Sequence, residues 1–301
     1  MQSIFVTGGS GFVGRALLPM LAQLPLRKLL LLGHRSPISV PSAPAGTVTG
    51  VLQGSLNSPR SFAGDLEGVD CVIHLSAATG KATRAEHFRI NVEGTRNLVE
   101  ACRAAGVRRF LYVSSIAAKF ANKTRYWYAQ AKQQAEEIVR ASGMAHCIAR
   151  PTMIFGRHSP VQSGLERLAL LPVVPVFGDG KTPVQPIAVD DVAGFLLAIL
   201  EQELFHGATL ELGGPATISI EDLLRRMRRA RGGGDARVMH FPLGLVVPPL
   251  TVMEWIAYRA LPVTVGQLAA FRNAGTIMPH PLWESRRGRL KTLEEMLGAR
   301  G

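Results

Sequence analysis

The chain has 301 residues, 47% hydrophobic and 19% charged, with a formal net charge of +12. Such a balance excludes a largely disordered chain, and the length provides for one large α/β domain with a smaller appendage, or for two domains. The excess positive charge favours anionic partners, whether a phosphorylated cofactor, an acidic membrane surface or nucleic acid, and does not choose among them.

Ile4-Phe5-Val6 reads as a strand, and Thr7-Gly8-Gly9-Ser10-Gly11-Phe12-Val13-Gly14 follows it directly. Gly8, Gly11 and Gly14 allow a tight turn, close approach of backbone to a pyrophosphate, and close packing of the helix that starts here. The N–H groups of that helix start then face an anion. A secretory leader is not expected, because its cleavage would remove this loop, so a cytosolic protein is expected. The second strand, Leu29 to Leu32, ends at Gly33-His34-Arg35 with no carboxylate for ribose hydroxyls. Arg35, assisted by His34 or Arg15, is suited to a 2′-phosphate, which favours NADP over NAD.

Pro37 to Gly50 lacks periodicity and reads as a loop. Further strands are expected at Cys71 to Leu75, Phe110 to Val113 and Cys147 to Ala149. Helices are expected at Ala85 to Ala105, stopped by Gly106, and at Tyr128 to Ala141, stopped near Gly143. Cys71, Cys102 and Cys147 show no CxxC spacing and read as buried thiols. Strands alternating with helices predict an α/β, doubly wound parallel sheet. Residues 1–150 form the nucleotide-binding domain of this reading, and 151–301 complete the sheet and supply a smaller substrate-binding region. Arg225, Arg226, Arg228, Arg229 and Arg231 read as a solvated helix face, with anionic lipid as the alternative contact. Phe241 to Pro262 is strongly apolar, but Pro248-Pro249 and Glu254 interrupt it. A core helix is favoured there over an interfacial one, and a membrane span is not expected.

Tyr112-Val113-Ser114-Ser115 ends a strand, and Tyr128-Ala129-Gln130-Ala131-Lys132 opens the next helix. Tyr128 and Lys132 are four apart and share a helix face. An ammonium beside the phenol lowers its pKa toward a useful range, and Ser115, more than Ser114, is placed to orient a substrate oxygen. His74 reads as a structural strand-end residue, Asp190-Asp191 as a helix cap, and Trp127 as either mouth or packing. No metal is expected from eight scattered histidines.

These stretches, with His74 to Ala78, Asn91 to Thr95, Arg150-Pro151-Thr152, Val176 to Lys181, Gln185-Pro186-Ile187 and Val189 to Ala193, resemble the short-chain dehydrogenase/reductase superfamily. The later stretches look like its extended and atypical branch, which holds the NAD-dependent epimerase/dehydratases and relatives of the complex I 39 kDa subunit. The resemblance covers positions 1 to about 215. It implies a Rossmann fold with a seven-stranded sheet, and a catalytic Ser115, Tyr128 and Lys132. It further implies cofactor contacts from Gly8, Ser10, Gly11, Phe12, Val13, Gly14, Leu75, Ala77, Tyr128, Lys132 and Pro151, beside Arg35. Two departures stand out: Ile116 replaces the further Ser or Thr of the sugar epimerases, and Ser55 replaces an acidic residue after Gly54. The expected activity is an NADP(H)- or NAD-dependent oxidoreductase or epimerase acting on a sugar nucleotide or an apolar carbonyl or alcohol. The alternative is a nucleotide-binding assembly protein without turnover. A homodimer through the two long helices and a peripheral membrane contact are expected partners; specific nucleic-acid binding is not.

Overall fold

The computed structural model describes residues 1–235, 237–258, 261 and 264–298. Its strands are β1 (Ser3–Thr7), β2 (Lys28–Gly33), β3 (Val48–Gln53), β4 (Cys71–His74), β5 (Arg109–Val113), β6 (Ala145–Pro151), β7 (Ile154–Phe155), β8 (Val173–Phe177), β9 (Pro183–Val184), β10 (Ile187–Ala188), β11 (Ala208–Leu212), β12 (Ile218–Ser219) and β13 (Arg237–Phe241). The helices are α1 (Phe12–Leu21), α2 (Arg84–His87), α3 (Gly94–Ala104), α4 (Trp127–Arg140), α5 (Pro160–Ala169), α6 (Val189–Glu201), α7 (Ile220–Ala230), α8 (Leu243–Ala257), α9 (Pro281–Arg286) and α10 (Leu293–Gly298).

A seven-stranded sheet runs in the order β11-β6-β5-β4-β1-β2-β3, parallel throughout. All five residues of β1 are buried, as expected of a strand covered on both faces. Helices α1 and α6 cover one face through Leu17, Leu21, Phe195 and Ile199; α3 and α4 cover the other through Leu98, Cys102, Ala135 and Val139. A third apolar cluster, built around Phe155, Val174, Leu223 and Leu268, holds the later elements together. The three cysteines are buried and free.

The structure departs from the sequence reading in several places. Val48 to Gly50, assigned to a loop, begins β3, a half-exposed edge strand whose polar residues mask its pattern. The helix expected over Ala85 to Ala105 is instead α2, a π-helical turn at Phe88–Glu93, and α3. Both expected stops hold, Gly106 at φ 73° and Gly143 at φ 75°. Asp190 and Asp191 sit in the first turn of α6 without capping it; they grip Lys291, Asp190 through its Nζ at 2.5 Å and Asp191 through its backbone N at 2.9 Å. The arginines of α7 and its C-cap are largely engaged: Arg225 with Glu221, Arg226 with Glu294, Arg228 on the carbonyls of Ala169 and Leu171, and the C-cap Arg231 with Glu166. Helix α8 runs through Pro248 and Pro249, with Leu250 and Glu254 inward while Leu245, Val252, Trp255 and Ile256 lie exposed, so it is only half a core helix. Pro262 lies outside the described residues. No helix among the described residues is long and apolar enough to cross a membrane.

Candidate active site

The C-terminal ends of β1, β4 and β5 adjoin in the sheet, and the predicted site residues collect there, where an open parallel sheet leaves a crevice. Gly8 has φ 77°, and a Cβ on it would lie 2.6 Å from the Ser76 nitrogen. A Cβ on Gly14 would lie 2.4 Å from the Gly8 carbonyl. Only glycine fits at either position. The Gly11 nitrogen donates to the Gly8 oxygen at 3.0 Å and closes the turn. Gly11 caps α1 with no side-chain acceptor, which leaves first-turn N–H groups for an anion. Ser10, Phe12 and Val13 are half-buried along this turn, as are Leu75 and Ala77 opposite it. The residues present therefore fit a dinucleotide pyrophosphate.

A buried polar relay fixes the turn against the facing loop. Thr7 Oγ1 accepts from the Ser76 nitrogen and lies 2.6 Å from His74 Nδ1, and His74 Nε2 is 3.0 Å from Thr95 Oγ1, which donates to the Asn91 carbonyl at 2.7 Å. This chain of donors makes His74 a neutral ring that donates from Nε2. Burial agrees, pushing its pKa down to about 3, with the Lys132 charge adding to the effect. His74 is thus structural, as read. Asn91 continues the lock by holding both the N–H and the carbonyl of Ala78.

Arg35 is exposed just beyond β2. Ile38, three residues on, lies against both Gly9 and Gly33, which folds the Arg35 loop beside the glycine turn. Pro151 ends β6 opposite Leu212 and is buried.

Ser115 leaves β5 as the cap of a short 3-10 turn, its oxygen accepting from the Ala117 nitrogen at 3.2 Å, and Tyr128 packs against that turn. Ser114 points elsewhere, donating to Glu136 at 2.6 Å. Burial raises the Tyr128 pKa above the usual 10, and the Ser115 hydroxyl only partly opposes it. Lys132 is 2% exposed, donates to the Val113 carbonyl at 2.8 Å and lies 4.7 Å from the Tyr112 ring centre. Burial lowers its pKa to about 7, against a counteracting pull from Glu136. The phenol is thus not lowered by the surrounding side chains; desolvation outweighs the Ser115 contribution.

Behind Lys132, the fully buried Glu136 carboxylate accepts from Ser114, from both arms of Arg150 at 2.6 and 2.8 Å, and from Arg140 at 2.8 Å. Burial pushes this carboxyl up, but the Arg150 and Ser114 bonds prevail and its pKa stays below the ordinary value. Two residues escaped the sequence reading. His87 is buried with its ring edge-on to Tyr128, centroids 5.9 Å apart; its i, i+4 spacing to Asn91 was the available signal. Tyr126 packs beside Tyr128 at 6.0 Å. Trp127 lies under the Arg84 guanidinium at 5.4 Å.

A family model described as the NAD dependent epimerase/dehydratase family matches residues 4–213. A ceramide reductase from Caulobacter vibrioides is 34% identical over 196 residues, 65% of this chain and 60% of that protein. A 3-beta-hydroxysteroid dehydrogenase from Mycolicibacterium neoaurum is 34% identical over 51% of this chain and 48% of its own length. The chain thus spans about half to three-fifths of these relatives. A dTDP-glucose 4,6-dehydratase from Streptomyces venezuelae, solved with NAD and TYD bound, superposes with TM-score 0.67 at 18% identity over 96% of this chain and 98% of that one, a likeness of fold.

Proposed function

Because the chain belongs to the NAD dependent epimerase/dehydratase family of extended short-chain dehydrogenase/reductases, we propose that it is an NADP(H)-dependent oxidoreductase that reduces an apolar ketone. The observation that carries this reading is the packing of the Tyr128 ring against the turn that Ser115 opens, at the crevice beside the glycine cradle. When bound, the nicotinamide supplies the hydride that reaches the carbonyl carbon. Tyr128 holds its proton at neutral pH, because burial raises its pKa, and so serves as the acid that delivers it to the carbonyl oxygen. Ser115 donates to that same oxygen and fixes its approach. Lys132, four residues on along the same helix face and held by Val113, would contact the bound ribose.

The apolar substrate class is supported by the aromatic surroundings of Tyr128, namely Tyr126, His87 and Phe120, and by the relatives named for ceramide and steroid substrates. Preference for NADP is supported by the exposed Arg35 and the missing carboxylate after β2. Titration of nucleotide-stripped protein with NADPH and NADH tests it. Arg35→Ala is expected to weaken NADPH roughly 10- to 100-fold, the worth of a charged hydrogen bond, and to leave NADH unchanged. Equal or tighter NADH binding by the native chain contradicts the preference, and binding of neither contradicts the enzyme.

A further inference from the structure

Helix α8 is apolar on two opposite faces. Leu243, Val246, Val247 and Leu250 pack into the third core cluster. Leu245, Pro248, Pro249, Val252, Met253 and Ile256 recur at i, i+3, i+4, i+7, i+8 and i+11 and are all exposed, Leu245 at 74% and Ile256 at 77%, with Trp255 at 90% beside them. A surface helix of a water-soluble protein ordinarily turns a polar face outward. Here the helix has one charge, Glu254, and it faces inward to accept from Arg125 and from the Val265 nitrogen.

Basic groups stand at both ends of this stripe. Near its N-terminus Leu243 touches Gly178, the Phe177 ring contacts Phe241 and Phe271, and Thr182 donates to the Phe271 carbonyl. This places the exposed Lys181 and Arg272 there; the acids beside them are Asp179 and Glu221, the latter held by Arg225 and His240. Beyond its C-terminus Tyr258 donates to the Ala82 carbonyl and Lys81 to the Leu261 carbonyl, which brings Lys81 and Arg84; the acid there, Glu86, is bound by Thr83. A second copy docked antiparallel on this stripe would bring the two basic ends together, which repels. An anionic lipid surface meets both the apolar stripe and the flanking charge.

The geometry points to α8 as a docking surface for an anionic phospholipid bilayer, lying in the interface without spanning it. The helix is about 22 Å long at 1.5 Å per residue, enough to lie flat. It is also tied to the crevice: Glu254 holds Arg125, and Gly266 sits so close to the Arg125 carbonyl that a Cβ would approach it to 2.8 Å. On the oxidoreductase reading, the crevice then opens near lipid, and an apolar ketone reaches Tyr128 from the bilayer. The docking itself does not depend on that reading.

The test is cosedimentation of the purified full chain with phosphatidylcholine vesicles, with and without phosphatidylglycerol, in the absence of nucleotide and substrate. The native chain is expected to pellet with the anionic vesicles, less so as salt rises, and to remain in solution with phosphatidylcholine alone. Trp255→Ser with Ile256→Ser is expected to weaken binding roughly tenfold or more while NADPH affinity, read by tryptophan energy transfer, is unchanged. Should the double variant fold poorly, the blue shift of native-chain tryptophan fluorescence on adding anionic vesicles gives the same answer. A native chain that ignores anionic vesicles, or a concentration-dependent dimer abolished by the double variant, overturns the proposal. Loss of turnover with vesicle binding intact bears only on the oxidoreductase reading.

Discussion

Replacing Lys132 by methionine keeps the chain length and removes the ammonium, and it changes how stability depends on pH in a direction fixed by burial. Lys132 is 2% exposed, and its pKa is lowered from 10.5 to about 7. Below about pH 7 folded and unfolded chains both carry the ammonium, so the folded chain bears the full desolvation penalty. Between about 7 and 10.5 only the unfolded chain holds the proton, and raising the pH stabilises the fold. At about 1.36 kcal/mol per pH unit, the window amounts to on the order of 5 kcal/mol. Lys132→Met lacks this dependence and loses the Val113 hydrogen bond, worth about 1 kcal/mol. The variant is therefore expected to be the more stable of the two near neutral pH and to lose that advantage as the pH rises. Urea unfolding of both chains from about pH 6 to about pH 10 measures the difference, in which other titrating groups cancel. Parallel stability curves for the two chains refute the reasoning.

Glu136→Gln leaves two arginines partly unpaired against a buried neutral group and is expected to cost about 3–5 kcal/mol in chemical denaturation. The native Glu136 contribution is present above the ordinary carboxylate range and fades as the pH falls through it, so the gap between the two chains narrows in acid. Gly14→Ala places a methyl 2.4 Å from the Gly8 carbonyl and 2.6 Å from that of Gly9, so the cradle must move. Isothermal titration is expected to show nucleotide affinity falling by roughly a hundredfold or more, against a stability loss of about 1–3 kcal/mol by thermal melting.

Continuous apolar strands and glycines with obligatory geometry were legible in the sequence. The five buried strands announce themselves because both faces are covered, and Gly8, Gly14, Gly106 and Gly143 hold positions that few other residues could take. Strand β3 was not legible because, at the sheet edge, Thr49, Gly50 and Gln53 need not be apolar. Strand β11 hides behind Glu211, which is buried only because Lys119 and Arg150 meet it from distant parts of the chain. The same holds for the site. Spacing puts Tyr128 and Lys132 on one face, but the sign of each pKa shift follows from burial, which no local pattern encodes. That Ser114 is taken up by Glu136, a residue of the following helix, is likewise written in no local pattern. Helix α8 satisfies the pattern of a core helix on one face and shows its other use only when the opposite face is seen to lack a cover.

Proton delivery by Tyr128 is the central claim, and Tyr128→Phe tests it most directly. Nicotinamide absorbance is followed while the native chain and the variant are offered NADPH with a panel of steroid and long-chain alkyl ketones. The native chain is expected to reduce at least one of them, and the variant to lose roughly 100- to 10,000-fold in kcat while its NADPH affinity stays the same. A phenylalanine variant that turns over at the native rate contradicts the claim.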